Sequence, residues 1–378
     1  MSINHRAIVR GGGTVSVQNR PTPIPNENEI LVSPVYAGLC GTDIQILRGI
    51  RSDPSPVIGH EGVARITAVG SSISARLAVG MLVCVNPTHR DDPSFLLGHN
   101  VEGLMQESVL IKGSAVNDGL VLPLAENHNH EISTLLEPLA VVRYALSLFA
   151  DHLPTSLIVF GDGVIGHCSV RSAREILGDQ IRIVHIHHTQ QGIDWSREHK
   201  IAGVHCVLND DDAIGMLSSL PDQERIAVLL ATPRNATLHC LKTAISHLRG
   251  VLIIDLLGGL PENTSTELLP GINLSQIRAA NCAGSPQPAK NFSAITSTGK
   301  TVYLFGHRGV AHRHLRDSAN ELAENPLRYR ELITHVVDMD GAADIMRQLS
   351  TSSERLVDGR RLIKLAVKFT SNNAHKEL

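Results

Sequence analysis

The sequence predicts an α/β protein of two domains, one rich in β-strands and one built on a parallel sheet. At 378 residues the chain exceeds what one hydrophobic core usually supports, so two domains are expected. Up to about residue 125 the apolar runs are short and broken by glycine and proline. From residue 156 strand-like runs alternate with helical stretches. The short runs of the first part favour a partly closed β-barrel, and the alternation in the second part is typical of βαβ units.

The first part of the chain has the pattern of strands joined by turns. Its apolar and β-branched runs are 7–10, 29–35, 62–69, 81–85 and 105–111. Long helical periodicity is absent there, and the first strong helix is predicted from about residue 133 to residue 150.

In the second part a buried-type strand at 156–160 precedes a glycine turn and a helix that runs to about residue 177. A strand at 181–186 follows, and the alternation continues through 251–254. From about residue 310 the chain returns to helices, and a last strand at 362–369 is expected to complete the first domain. The predicted domains are therefore 1–148 with 308–378, and 149–307.

Composition and charge predict a soluble, cytoplasmic protein. Hydrophobic residues make up 42%, charged residues 19%, and the net charge of −3 gives no reason to expect nucleic acid or an anionic membrane. The start lacks the apolar segment of a secretory signal, and no apolar run approaches the roughly 20 residues that span a bilayer. The six cysteines form no C-x-x-C pair, so no disulfide framework is expected.

Two short glycine-anchored segments contain the residue types that bind zinc. Cys40 and His60 offer sulfur and nitrogen, and Glu61 offers carboxylate oxygen. Asp43 is suited to hold a zinc-bound imidazole in one tautomer, and Thr42 places a hydroxyl two residues after the thiol. Singly, each has an ordinary explanation as a buried cysteine, a loop histidine or a solvated charge. Together they favour a metal site.

These segments resemble the zinc-dependent medium-chain dehydrogenase/reductase family. The runs AGLCGTD at 37–43 and GHEG at 59–62 carry the resemblance. EPLA at 137–140, the glycine turn and LITH at 332–335 extend it over nearly the whole chain. The resemblance implies a GroES-like β-rich catalytic domain, a Rossmann-type doubly wound parallel-sheet domain, and oxidation of an alcohol by a nicotinamide cofactor. It also suggests a homodimer or homotetramer.

The same resemblance implies roles for individual residues. Cys40 and His60 match the first two catalytic zinc ligands, and Glu137 matches the third ligand of the sorbitol and threonine dehydrogenase branch. Glu61 matches a neighbouring carboxylate that either binds the metal or lies just behind its ligands. Thr42 matches the hydroxyl that relays a proton. The alternative for Glu137 is a charge at a helix N-terminus, which the helix dipole favours.

Residues 88–100 depart from the family pattern. Many members carry four closely spaced cysteines there for a structural zinc, and this chain has none. We therefore expect one zinc per subunit, the catalytic one. The lobe formed by residues 88–100, which would hold the structural zinc, is expected to be shortened or stabilised by packing instead. His99, Asn100 and Glu102 are candidates to reach a polar substrate, the alternative being a capped surface loop.

A glycine turn is expected to bind the pyrophosphate of the cofactor. Gly161, Gly163 and Gly166 follow a strand in the pattern G-x-G-x-x-G. Val164 and Ile165 complete the turn and open the following helix, whose free N–H groups face the diphosphate.

The choice between NAD and NADP stays open. The acid that the family places after the next strand is missing, because the chain runs into His187 and His188. A protonated histidine would favour NADP, and the alternative is that both rings cover the adenine edge. Lys364 matches a basic position near the pyrophosphate, or else is an ordinary strand-surface lysine.

The sequence thus predicts a zinc-dependent oxidoreductase that converts a secondary hydroxyl to a ketone with hydride transfer to NAD(P). The resemblance of the site with Glu137 implies a polyol, sugar, cyclitol or aminocyclitol as substrate. With six Phe, four Tyr and one Trp, a broad aromatic pocket is not expected, which fits a small polar substrate. One alternative is a zinc-free enone or quinone reductase on the same fold, against which Cys40, His60 and Glu137 argue. The other is a catalytically silent binding protein, against which Thr42 argues.

Overall fold

The computed structural model describes residues 3–126, 128–352 and 354–369. The chain forms two compact units, Met1–Glu137 with Leu315–Leu378, and Pro138–His314. The sequence-based ranges put the junctions at 148/149 and 307/308 instead. Those ranges stay a prediction, and the end of the range 308–378 lies outside the described residues.

The secondary structure falls into three stretches of the chain. The first contains β1 Asn4–Gly11, β2 Thr14–Pro21, β3 Ile30–Gly38, α1 Gly41–Leu47, β4 Glu61–Val69, β5 Leu82–Val85, β6 Val109–Ile111, α2 Gly113–Asn117, β7 Val121–Pro123, a 3₁₀ turn Ile132–Leu135 and α3 Leu136–Ala150. The second contains β8 Ser156–Phe160, α4 Val164–Leu177, β9 Arg182–His187, α5 Gln190–Glu198, β10 Val204–Leu208, α6 Asp211–Ser218, β11 Arg225–Leu230, α7 Thr237–His247, β12 Val251–Asp255, α8 Leu274–Arg278, β13 Asn281–Cys282, β14 Phe292–Ile295, β15 Thr301–Phe305 and β16 His307–Arg308. The third contains α9 His312–Glu324, α10 Pro326–Tyr329, a 3₁₀ turn Arg330–Leu332, β17 Ile333–Val337, α11 Met339–Thr351, β18 Leu356–Val357, β19 Arg360–Arg361 and β20 Lys364–Lys368.

The first unit is built around a sheet of order β17-β20-β3-β4-β5-β7, with β6 also paired to β3. The register brings three strand ends together, because Gly38 at the end of β3 pairs with Glu61 at the start of β4 and with Ala366 in β20. Residues that follow β3, precede β4 and begin β20 therefore lie beside one another. The predicted strand 105–111 is shorter in the structure, since only Val109–Ile111 pairs in the sheet and Gln106 makes a single bridge to Ala7.

The second unit contains a sheet of order β10-β9-β8-β11-β12-β15-β14. Its first six strands run parallel, and β14 is antiparallel to β15. The strand order reverses beside β8, and the glycine turn follows that strand, which is where α/β sheets of this kind bind their ligands. The predicted fold class, a β-rich GroES-like domain plus a Rossmann-type parallel-sheet domain, is confirmed.

The segment Ile132–Ala150 is long and apolar enough to cross a membrane, with a mean hydropathy of 1.4. However, 83% of it is buried inside the protein. Burial of that extent is what a core helix requires, and the apolar composition of α3 is explained by packing.

The close approach of β3 and β4 at the site depends on Gly62, which gives the first prediction. A Cβ atom at Gly62 would collide with the carbonyl oxygen of Tyr36 and the backbone of Ala37. We therefore expect Gly62→Ala to lower the free energy of unfolding by about 1–3 kcal/mol, the usual range for overpacking. Chemical denaturation followed by circular dichroism measures this. Gly11→Ala is the control, because a Cβ there meets nothing within 4 Å, and equal losses in the two variants would contradict the prediction.

Candidate metal and dinucleotide sites

Three potential metal ligands meet where β3 ends and β4 begins. One ligand atom from each of Cys40, His60 and Glu61 lies within 4.8 Å of the other two. His60 and Glu61 are buried, and Cys40 is partly exposed. Sulfur, nitrogen and carboxylate oxygen at this spacing form a donor set that suits zinc.

Asp43 supports this cluster from the first turn of α1. Its side chain is fully buried, and Oδ2 accepts a hydrogen bond of 2.8 Å from the backbone N–H of Cys40. The other oxygen, Oδ1, lies 3.8 Å from Nδ1 of His60. A carboxylate facing Nδ1 leaves Nε2 as the imidazole nitrogen available to a metal, which is the usual support for a metal-binding histidine.

A buried ion pair lies behind the ligands. Lys364, the first residue of β20, is fully buried and donates to a carboxylate oxygen of Glu61, which is also buried. A Cβ atom at Gly38 would overlap the Lys364 side chain, so glycine at the end of β3 makes room for it. The sequence left Lys364 between a position near the cofactor pyrophosphate and an ordinary strand-surface lysine. In the structure it is neither at the surface nor free for a phosphate, because it is buried and its ammonium group is engaged by Glu61.

Burial and the neighbouring acids set the protonation of the cluster. Burial raises the pKa of the Cys40 thiol, Glu61 raises it further, and His60 opposes both. Burial lowers the pKa of His60, but Asp43, Cys40 and Glu61 together outweigh burial and raise it to about 10. Without a metal, the protonated imidazole of His60 is thus a second cation, besides Lys364, that balances the acids.

Glu137 lies near this cluster, on the first turn of α3, although it does not belong to the group within 4.8 Å. It is partly exposed as a residue, but burial of its carboxyl group and repulsion from Glu61 raise its pKa to about 7. His60 and Lys364 act in the opposite direction. This coupling puts Glu137 in electrostatic contact with the ligands.

The hydroxyl of Thr42 is buried and has no hydrogen-bond partner among the described residues. Thr42 stands two residues after Cys40, on the first turn of α1. A buried hydroxyl normally costs free energy unless it is hydrogen-bonded. The arrangement therefore suits a hydroxyl whose partner arrives with a ligand.

A histidine that the sequence only weakly indicated packs against the cluster. The ring of His99 lies 4.9 Å from the ring of His60, and burial lowers the pKa of His99 to about 3. Its Nδ1 lies 3.6 Å from a carboxylate oxygen of Asp53, which is beyond hydrogen-bond distance. Because His99 is neutral near pH 7, it adds no positive charge beside His60.

Glycines hold the segment around His99 in place. Added Cβ atoms at Gly98 and Gly103 would both collide with the backbone of Gly59, the residue before His60. Leu97 and Phe95 are buried there. The lobe that lacks the four cysteines is therefore held by packing.

Asn100 and Glu102, the other two candidates for substrate contact, have partners away from the metal cluster. Asn100 is exposed and donates to the carbonyl of Pro93. Glu102 pairs with Arg20 at 2.7 Å. Of the three residues suggested for substrate contact, His99 alone reaches the metal cluster.

The glycine turn of the second unit has the geometry that dinucleotide binding needs. Gly161 has a φ of +113°, and a Cβ atom there would strike the carbonyl of Ala231. A Cβ atom at Gly166 would overlap the carbonyl of Gly161, which keeps helix and strand in close contact. Gly163 caps α4, so Val164 and Ile165 open the helix with their N–H groups at its free end.

The two histidines after this turn have different environments. His187 is fully buried and hydrogen-bonded through both ring nitrogens, to the carbonyl of His185 at 3.0 Å and to Ser196 Oγ at 2.7 Å. The prediction that His187 contacts the cofactor is therefore wrong, because its side chain points into the layer between sheet and helices. His188 is exposed and remains a candidate for the adenosine end.

Comparison with known proteins agrees with this architecture. Residues 26–118 match the alcohol dehydrogenase GroES-like domain. A sorbitol dehydrogenase of Bombyx mori is 26% identical over 196 residues, which cover 48% of this chain and 56% of that protein. A glucose 1-dehydrogenase of Thermoproteus tenax is 27% identical over 39% of this chain and 47% of that protein. The chain spans about half the length of the curated relatives it matches.

Solved structures match over almost the whole length. Galactitol-1-phosphate dehydrogenase from Escherichia coli aligns with a TM-score of 0.69 at 18% identity and covers 96% of this chain and 99% of its own. A dehydrogenase from Sinorhizobium meliloti bound to NADP aligns with a TM-score of 0.68 at 18% identity and covers 97% of this chain and 99% of its own. At this identity the likeness shows the fold alone.

The Glu61–Lys364 pair gives the second prediction. Lys364→Met leaves the carboxylate of Glu61 buried without its partner, and breaking a buried pair in this way typically costs 3–5 kcal/mol, so we expect a loss of about that size. The measurement is denaturant unfolding of the metal-free protein, followed by circular dichroism.

Lys368→Met is the matched control, because Lys368 is exposed at the other end of the same strand. Its loss should be below about 0.5 kcal/mol, as for most surface changes. Zinc should reduce the defect of Lys364→Met, since a bound cation replaces the lost charge. Equal losses of unfolding free energy in the two lysine variants would show that the Glu61–Lys364 pair does not stabilise the fold.

Proposed function

Because the chain belongs to the medium-chain dehydrogenase/reductase family, we propose that it is a zinc- and NAD(P)-dependent oxidoreductase. It oxidises a secondary hydroxyl of a small polar alcohol to a ketone. The observation that carries the proposal is the cluster of Cys40, His60 and Glu61, whose sulfur, nitrogen and oxygen atoms lie within 4.8 Å of one another. Zinc bound there supplies a Lewis acid that polarises the substrate oxygen and lowers the pKa of its hydroxyl.

In this proposal Cys40, His60 and Glu137 hold the metal. The carboxylate of Glu61 is already paired with Lys364, so it is the weaker candidate for a permanent ligand. Glu137 has no such ion pair among the described residues, and burial together with Glu61 raises its pKa more than His60 and Lys364 lower it. A divalent cation beside Glu137 would stabilise the charged form and reverse that shift.

Thr42 and Asp43 complete the chemistry. The buried hydroxyl of Thr42, which has no partner in the described part of the chain, accepts the proton that the substrate hydroxyl loses and passes its own toward solvent. Asp43 keeps His60 in the tautomer that presents Nε2 to the metal. Its buried position fixes both the imidazole and the backbone of Cys40.

The second unit binds the dinucleotide in this proposal. Gly161, Gly163 and Gly166 leave room for the pyrophosphate, and the bound nicotinamide supplies the hydride acceptor. The end of β9 carries no carboxylate to repel a 2′-phosphate, and the exposed His188 stands there instead. Both NAD and NADP therefore fit.

The substrate class rests on polarity and on the relatives. The curated and structural relatives include dehydrogenases of sorbitol and of galactitol 1-phosphate. Aromatic residues make up 3% of this chain, which does not favour a large aromatic pocket. We therefore propose polyols, sugars, cyclitols or aminocyclitols as substrates.

Cys40→Ser tests the proposal. The variant should lose its catalytic zinc and at least a thousandfold of turnover, because oxygen replaces the thiolate ligand. Dinucleotide affinity should change less than about threefold, because the glycine turn is unaltered. Metal analysis, cofactor reduction with a panel of polyols, cyclitols and amino sugars, and titration with NADH and NADPH measure these quantities.

Cys282→Ser is the control, since this partly exposed cysteine lies outside the cluster. The panel also separates the alternatives. Activity on enones without zinc would indicate a reductase of the zinc-free kind, and dinucleotide or ligand binding without turnover would indicate a silent relative. Full turnover in Cys40→Ser would refute the proposal.

Zinc binding should depend steeply on pH. At neutral pH the metal must displace protons from His60, whose pKa is raised to about 10, and from the Cys40 thiol, whose pKa burial also raises. Glu137, with a pKa of about 7, adds a third proton as the pH falls below that value. Because two protons compete with the metal, we expect the affinity for zinc to fall about a hundredfold when the pH is lowered from 8 to 7. Below pH 7 the fall should be steeper, since Glu137 then binds a third proton. Competition with a chelator measures this, and a slope of tenfold or less per unit would contradict it.

A further inference from the structure

One layer of the second unit contains imidazoles where an apolar core is expected. Along β9, Val184 and Ile186 face the apolar cluster on one side of the sheet. His185 and His187 alternate with them, so they face the other side, and both are buried. Buried histidines need partners of defined geometry, which a purely apolar layer does not supply.

The hydrogen bonds of these two histidines fix which nitrogen carries the proton. His185 places Nε2 at 2.9 Å from the carbonyl of Gly161, and His187 places Nδ1 at 3.0 Å from the carbonyl of His185. A carbonyl only accepts, so both of these nitrogens are donors. The remaining nitrogens, Nδ1 of His185 and Nε2 of His187, are therefore electron-pair donors. Imidazoles that bind metals are commonly oriented by such N–H bonds to backbone carbonyls.

A thiol completes the group. Cys206 in β10 pairs directly with His185 in the parallel ladder. Its sulfur and a ring nitrogen of each histidine all lie within 4.8 Å of one another. A cavity of about 10 Å³ is lined by Cys206, His185 and Ser196, which is room for about one water or one bare ion.

We propose that His185, His187 and Cys206 form a second zinc site, separate from the cluster at Cys40. Imidazole nitrogen and cysteine thiolate are both ligands that zinc binds, often together in one site. In tetrahedral zinc the ligand atoms lie about 3.5 Å apart, and atoms that already lie within 4.8 Å of one another need to approach by little more than about 1 Å at most. The hydroxyl of Ser196 moves aside from His187 Nε2 in that step.

His199 is positioned as the fourth ligand. It lines the same cavity, and its Nδ1 lies 2.9 Å from the carbonyl of Trp195, which leaves Nε2 as the electron-pair donor. Four protein ligands are typical of structural rather than catalytic zinc. The site would connect β9, β10 and the end of α5. With it the subunit would bind two zinc ions, one more than the sequence predicted.

Cys206 would bind the metal as a thiolate, and this negative charge also matters because a cation lines the cavity. Arg171 borders it and stacks on Trp195, with its guanidinium carbon 5.9 Å from the ring centroid. Its charge opposes a metal ion, and a thiolate offsets that charge.

The only tryptophan of the chain reports on this site. Trp195 stacks on His199 with 4.0 Å between ring centroids. We would titrate full-length Cys40→Ser with Co²⁺, so that any thiolate-to-cobalt absorption band comes from Cys206 and not from the first cluster. The expected result is that this band and quenching of Trp195 emission saturate together at one equivalent. Zinc content after gel filtration should also be one per chain.

Adding Cys206→Ser or His185→Gln to Cys40→Ser should abolish the band and the retained zinc, and Cys282→Ser should abolish neither. Circular dichroism checks that the variants fold. If both site variants fail to fold, zinc retained by Cys40→Ser alone decides: one equivalent supports the site and none overturns it. Quenching without an absorption band, or a band that survives Cys206→Ser, also overturns it. Because Cys40 is absent throughout, failure here leaves the proposed catalytic zinc untouched.

Discussion

The register among β3, β4 and β20 is the constraint on which the first unit's site depends. Gly38 pairs with both Glu61 and Ala366, so the residues just outside these pairs, Cys40, His60 and Lys364, are forced into one small volume. Burying this many charged groups is costly unless each carboxylate meets a cation or a donor. Lys364 meets that need for Glu61, and the backbone N–H of Cys40 meets it for one oxygen of Asp43. The missing side chain at Gly38 makes the packing possible.

Local patterns predicted most of the fold. The strand at Ser156–Phe160 and the helix ending at Leu177 follow from a short apolar run, a glycine turn and an amphipathic stretch, all of which are features of adjacent residues. The expected parallel sheet is confirmed for the same reason. The strand predicted at 105–111 was too long because its first half pairs by one bridge only, which depends on distant β1 and not on composition.

The directions of the side chains at the site were harder to predict from the sequence than the strands and helices. In β9 both faces are buried, so the alternation of polar and apolar residues did not reveal that His187 points inward while His188 is exposed. Lys364 was misplaced because its partner, Glu61, is about three hundred residues away in the chain, and only the β3–β20 pairing brings them together. The contact of His99 with His60 likewise depends on glycines 59, 98 and 103 touching one another, which no short-range pattern indicates.

Lys364 also bears on how acidic a metal at this place can be. Every anionic donor transfers electron density to a bound ion and weakens its pull on a substrate oxygen. Three negatively charged side chains, Cys40, Glu61 and Glu137, around one divalent ion would make that ion a weak Lewis acid. By drawing Glu61 to itself, the buried ammonium group restores part of the ion's positive field. The last strand of the fold would then act as an electronic tuning element for chemistry that takes place on residues near the beginning of the chain.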